Sequence, residues 1–101
     1  MIRFGLQEHE FENLDTLIIQ PLKRNGARVF IFGSRATGQY KKFSDIDILF
    51  EDPSDAIKDH LIFEITSEIE ESHFPYKVDL VNFKNLATSY KASIQKEKIE
   101  V

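Results

Sequence analysis

Asp45 and Asp47 stand one residue apart at the head of the run Ile46-Asp47-Ile48-Leu49-Phe50, ten residues after Gly33-Ser34 closes an earlier run, Val29-Phe30-Ile31-Phe32. Both runs are rich in β-branched and aromatic residues, which predicts two strands. Side chains alternate along a strand, so the two carboxylates project from one face roughly 6–7 Å apart, a spacing that can bracket divalent metal ions. Ile46, Ile48 and Phe50 take the opposite face and read as its core side. Carboxylates on a strand otherwise made for burial need a compensating partner or open solvent.

The rest of the chain alternates helical and extended patterns. Phe11, Leu14, Leu17, Ile18 and Leu22 recur at helical spacing, predicting a first helix from about Glu8 to Arg24 that is kinked at Pro21 and stopped by Asn25-Gly26. Ala36 to Phe43 links the two strands as a loop or short turn. Asp52-Pro53 has the chemistry of a helix start, and Ile57, Leu61, Ile65 and Ile69 form the buried stripe of a second long helix ending near Ser72. Lys77 to Val81 predicts a third strand. Leu86, Tyr90 and Ile94, spaced by four, predict a last helix, with a frayed tail from Lys96. The expectation is one domain over residues 1–101, of α/β (α+β) class, in the order α-β-β-α-β-α. Its small mixed sheet carries helices on one face.

Composition narrows the function. The formal charge is −4, from 13 Lys and Arg against 17 Asp and Glu, which argues against coating the phosphates of DNA or RNA. Arg35, Lys41 and Lys42 make the segment between the two strands basic, so a small phosphate-bearing ligand fits that loop better than a nucleic acid does. Without cysteine, thiol catalysis and cysteine-ligated zinc are excluded. His9, His60 and His73 show no metal-ligand spacing and read as surface residues. The early acids Glu8, Glu10 and Glu12 and the lack of a long apolar stretch lead us to expect a soluble, cytoplasmic chain.

The third strand repeats the anomaly of the second, with Asp79 embedded in Val78-Asp79-Leu80-Val81. If the two strands are neighbours, Val78 and Leu80 share the core with Ile46 and Ile48, and Asp79 joins Asp45 and Asp47 on the other face. Three converging carboxylates raise one another's pKa values unless cations neutralise them, and hard oxygen ligands favour Mg²⁺ or Mn²⁺. At Gly33-Ser34 the absence of a Cβ permits close backbone approach, and the following amides and the Ser34 hydroxyl can donate to phosphate oxygens. The ATPase phosphate loop is excluded because Gly38 is followed by Gln39 and Tyr40 instead of Lys and Ser or Thr, and no Gly-x-Gly-x-x-Gly is present. Each element alone has a plainer reading: a turn corner for Gly33-Ser34, a solvated edge-strand face for Asp45 and Asp47, a salt-bridge partner for Arg35, and a surface residue for Tyr40.

Together, Phe32-Gly33-Ser34-Arg35-Ala36-Thr37-Gly38 and Ser44-Asp45-Ile46-Asp47-Ile48, followed by a distant strand acid, resemble the DNA polymerase beta-like nucleotidyltransferase superfamily. The resemblance is strongest to its minimal nucleotidyltransferases, whose domains match nearly the whole chain, and many of those are antitoxins paired with helical HEPN ribonuclease toxins. It implies the polymerase beta palm-like fold. Gly33 and Ser34 would hold the β and γ phosphates of a nucleoside triphosphate, with Arg35 and the Lys41-Lys42 pair as weaker phosphate contacts. Asp45 and Asp47 would ligate two Mg²⁺ ions, and Asp79 would complete the metal site and help deprotonate the acceptor hydroxyl. The implied activity is AMP transfer from ATP to a tyrosine of a HEPN-type partner. Two alternatives remain open: a binding module that neutralises its partner by complex formation alone, and transfer to a small molecule with help from a second subunit. Direct nucleic-acid binding and membrane association are not expected.

Overall fold

The computed structural model describes residues 3–101 of the chain. Its first helix, α1, is built in three continuous segments: Glu8–Leu14, a π-helical turn Asp15–Ile19, and Gln20–Arg24. The Gln7 amide donates to Glu10 Oε1 at 2.8 Å, satisfying a donor that a helix start leaves open. The widened turn ends at Ile19, two residues before Pro21, whose ring would clash with a carbonyl of an ordinary α-turn. The extra residue also lets consecutive Ile18 and Ile19 both point inward, so both are fully buried together with Leu14 and Leu22. The expected kink is thus a change of helix type ahead of the proline. Gly26, at φ +89°, ends α1 where the sequence placed its stop.

Four strands form one sheet in the order β3-β2-β1-β4. The central pair, β1 (Arg28–Phe32) and β2 (Ile46–Glu51), is antiparallel, with Phe32 opposite Asp47 and Val29 opposite Phe50. Between them lies one helical turn, α2 (Ser34–Thr37). β3 (Val78–Asn82) runs parallel to β2, so its connection must cross over the sheet. The crossover is α3 (Asp59–Glu71), which buries Ile65 and Ile69 against the sheet face carrying Val29, Ile31, Ile46, Ile48 and Phe50. Val78 and Leu80 pack on the same cluster, as the strand pattern required.

Four expectations change. Asp52 does not open a long helix. Its carboxylate accepts from the Ala56 and Ile57 amides at 3.2 and 2.9 Å, Asp55 sits at φ +53°, and α3 begins only at Asp59. A left-handed residue cannot continue a right-handed helix, so the cap closes a turn.

The last helix, α4 (Thr88–Glu97), follows a 3₁₀ turn over Phe83–Asn85 and buries only Ile94. Leu86 precedes α4, and Tyr90 is 63% exposed, so the spacing of four marked no stripe there. Ile94 meets Phe30 and Leu49, which places α4 on the second face of the sheet, opposite α1 and α3, so helices cover both faces and not one as expected.

The tail, finally, is ordered. Ile99–Glu100 forms β4 beside β1, held by the Val101 amide on the Val29 carbonyl at 3.0 Å, by Lys98 on Glu51 at 2.8 Å and by Arg28 on Glu100 at 2.8 Å. Among the described residues no helix is long and apolar enough to cross a membrane.

Candidate active site

β1 delivers the chain to Gly33 at φ +74° and ψ −155°, a conformation that only glycine adopts without strain. Its bare Cα is also a packing requirement, because a Cβ built there would overlap the Asp47 carboxylate. α2 follows at once. The Gly33 carbonyl accepts from the Ala36 and Thr37 amides, and Gly38 closes the turn at φ +82°.

Asp47 projects from β2 onto the sheet face that α4 partly covers and is half-buried. Its neighbour across the parallel register is Asp79 on β3. Asp45 precedes β2 and is exposed, and the Ile46 amide ties this corner to the Lys77 carbonyl at 2.9 Å. The structure therefore brings Asp45, Asp47, Asp79 and Gly33 to one sheet end. Burial pushes the Asp47 carboxyl above its ordinary range, and the negative charges of Asp79, Asp45 and Glu97 push the same way, against a smaller opposing pull from Lys77. Lys77 Nζ stands 3.7 Å from the Asp79 carboxylate.

An all-carboxylate donor set with excess negative charge suits a hard divalent cation, which would relieve the repulsion that lifts Asp47. Among the described residues no three His, Cys, Asp or Glu side chains are already drawn together tightly enough to hold an ion. The residues fit a divalent ion in kind, Asp45 being exposed and Asp79 partly exposed.

Arg35 departs from the expected phosphate contact. It is only 2% exposed: Nε and Nη2 donate to the Ser44 carbonyl at 3.1 and 2.7 Å, and Nη1 donates to the Phe4 carbonyl at 2.9 Å. The guanidinium also lies 4.5 Å from the ring centre of Tyr76 and 5.4 Å from that of Tyr40. A planar cation between two rings and two carbonyls is a clamp, fastening the amino-terminal segment and Tyr76 to the residue preceding Asp45. Its correction is one of role: Arg35 positions the loop that carries Asp45. Lys41 and Lys42 remain exposed on that loop, and His9, His60 and His73 are all exposed.

One participant had no sequence signal. Glu97, at the end of α4, accepts from the Gly33 amide through Oε1 at 3.0 Å. Sixty-four positions separate the two residues, and no motif joins them.

The sheet, the Gly33-Ser34 corner and the strand aspartates define a nucleotidyltransferase domain: the chain belongs to the family described as Polymerase beta, Nucleotidyltransferase, whose sequence model matches residues 17–101. Within it the chain is similar to the probable protein adenylyltransferase MntA of Haemophilus influenzae, at 36% identity over 70 residues. That match covers 67% of this chain and 59% of the relative, so the chain spans less than two thirds of that protein's length. Among solved structures, a candidate minimal nucleotidyltransferase superposes with a TM-score of 0.73 at 22% identity, covering 99% of this chain and 97% of that one. A chain of the structure of tri-AMPylated Shewanella oneidensis HEPN toxin in complex with MNT antitoxin matches with a TM-score of 0.63 at 17% identity, covering 94% of this chain and 71% of that one. At these identities the superpositions establish the fold.

Proposed function

We propose that this chain is a Mg²⁺-dependent nucleotidyltransferase, the antitoxin of a HEPN/MNT pair, that transfers AMP from ATP to a tyrosine of its helical partner. The observation that carries the reading is the register of Asp47 against Asp79 beside Gly33. It supports carboxylates and a phosphate-binding corner facing one reaction space. The similarity to an adenylyltransferase supports AMP as the transferred group, and the neighbouring AMPylated toxin complex supports a HEPN acceptor.

Gly33 and Ser34 donate to the triphosphate from the backbone amide and the hydroxyl. Asp45, Asp47 and Asp79 would hold the divalent ions, which would supply positive charge to neutralise the carboxylates and offset charge on the triphosphate and the departing pyrophosphate. The acceptor oxygen attacks the α-phosphorus, the bond to the β-phosphate oxygen breaks, and pyrophosphate leaves. Asp79 takes the hydroxyl proton. Holding both reactants in line supplies much of the rate, because phosphoryl-type transfers depend mainly on positioning and charge stabilisation.

A second reading, neutralisation by binding alone, is favoured by the resting geometry: Asp79 faces Lys77, and the Gly33 amide is already occupied by Glu97. Incubation with labelled ATP, Mg²⁺ and the protein encoded beside it separates the two. Label on a partner tyrosine, lost in Asp47→Asn, establishes transfer. Complex formation and toxin silencing that survive Asp45→Asn/Asp47→Asn without label establish binding alone.

A further inference from the structure

The Gly33 amide is the donor that the proposed nucleotide reading, on which this inference rests, assigns to phosphate. In the structure that donor is taken. Glu97 Oε1 lies 3.0 Å from the Gly33 nitrogen, a partly buried hydrogen bond to a charged acceptor. A carboxylate and a phosphate oxygen present the same thing to an N–H: an anionic acceptor of similar reach. They cannot share one hydrogen.

The position of Glu97 is fixed from both sides. Ile94, one turn earlier on α4, is anchored on Phe30 and Leu49, and directly after Glu97 the chain joins β1 as β4. Lys98 is committed to Glu51 at 2.8 Å. The Glu97 side chain itself borders a shallow depression, largely open to solvent, between α2 and the α4–β4 segment, lined by Ala36, Thr37, Ser93 and Lys96 among others. It has room to leave Gly33 while the backbone that carries it stays in place.

We infer that Glu97 is an internal competitor for the triphosphate: its carboxylate occupies the phosphate donor of Gly33 in the nucleotide-free chain and must swing into the α2–α4 depression before a polyphosphate can bind. Displacement removes a negative charge from beside Asp47 at the moment the triphosphate brings new ones, so Glu97 sets the affinity of the site. The carboxylate also gives the Gly33 amide a satisfied donor in its glycine-only conformation.

The test compares wild type, Glu97→Gln and Glu97→Ala. In nucleotide-free protein, the ¹⁵N-resolved Gly33 amide is followed by chemical shift and hydrogen exchange; Glu97→Ala should shift it and speed its exchange. Dissociation constants are then measured for inorganic tripolyphosphate without metal and for ATP with Mg²⁺. Glu97→Ala should tighten both by about three- to tenfold, the range expected when a ligand no longer displaces a charged hydrogen-bond acceptor, with Glu97→Gln in between. An unmoved Gly33 amide, or affinities that stay level or weaken in Glu97→Ala, overturns the competitor role; so does a failure of every variant to bind either probe.

Asp47→Asn, measured alongside, separates this inference from the functional reading. If Asp47→Asn abolishes Mg²⁺-dependent ATP binding and Glu97→Ala changes nothing, the nucleotidyltransferase site stands and the competitor falls. If Glu97→Ala tightens tripolyphosphate while Asp47→Asn leaves ATP binding unaltered, the competitor stands and the metal-site reading falls.

Discussion

Gly33 and Asp47 share one small volume: the glycine leaves unfilled the space that the aspartate carboxylate enters. The phosphate corner and the strand acid are therefore fitted to each other across the β1–β2 pair, and position 33 has no room for a side chain while the Asp47 carboxylate stays where it is.

Gly33→Ala should be destabilising by about 1–3 kcal/mol, from strain at φ +74° together with the clash on Asp47, and nucleotide binding should be lost with it. Adding Asp47→Ala removes the clash and leaves the strain. Chemical denaturation of the two single variants and the double variant should give a double-mutant cycle in which the combined loss is smaller than the sum. Strict additivity would mean that the two residues do not compete for space.

The raised pKa of Asp47 sets a pH dependence. The folded chain holds the Asp47 proton more tightly than the unfolded chain, whose carboxyl keeps its ordinary value of 3.8, so stability falls as pH rises from about that value through the raised folded value and then levels off. Asp47→Asn lacks that loss. In metal-free buffer its melting temperature should exceed that of wild type near neutral pH by a few degrees, and the two curves should converge on acidification toward the unfolded value. A wild type as stable as the variant at neutral pH would contradict the burial cost and the added repulsion from Asp79, Asp45 and Glu97.

Replacing Arg35 tests the clamp. Arg35→Met leaves the Phe4 and Ser44 carbonyls without their buried donor and should cost about 2–4 kcal/mol. Arg35→Lys should recover only part of this, because a lysine cannot lie flat between Tyr40 and Tyr76 while donating to both carbonyls. Hydrogen exchange should localise the loosening to residues 41–46. If Arg35 instead contacted phosphate, the stability of Arg35→Met would match wild type and only nucleotide affinity would drop.

Ile94 is the one buried apolar anchor of α4. Ile94→Ala should cost about 2–4 kcal/mol by opening a cavity against Phe30 and Leu49, whereas Tyr90→Ala, four residues earlier on the same helix, should leave the melting temperature nearly unchanged. Equal losses at the two positions would restore the stripe that periodicity alone implied.

Where local chemistry decides structure, the chain was readable. β1 falls where its β-branched run lies, α1 ends at Asn25-Gly26, and Asp79 comes to face Asp47 because both strands alternate with the same period. Most of the misreadings share a physical cause, a distant partner, and one is local. The Asp52 cap was visible, but not the left-handed Asp55 that turned it into a loop. Arg35 looked available because the Phe4 and Ser44 carbonyls that occupy it are backbone atoms with no sequence signature. Ile99 and Glu100 gain their strand from an open edge on β1, and Glu97 gains its role from a glycine amide in another element. Pattern along a chain shows which face is buried, not what meets it.

The parallel pairing of β2 with β3 also governs how the protein comes into being. β1 and β2 are antiparallel and close in sequence, so Gly33, Asp45 and Asp47 can meet early, through short-range closure. Asp79 joins them only across the longer α3 crossover, a closure of higher entropic cost. The third carboxylate is thus the costliest of the three to bring in, because it alone depends on the crossover, while the phosphate corner and the other two acids depend only on the β1–β2 pair.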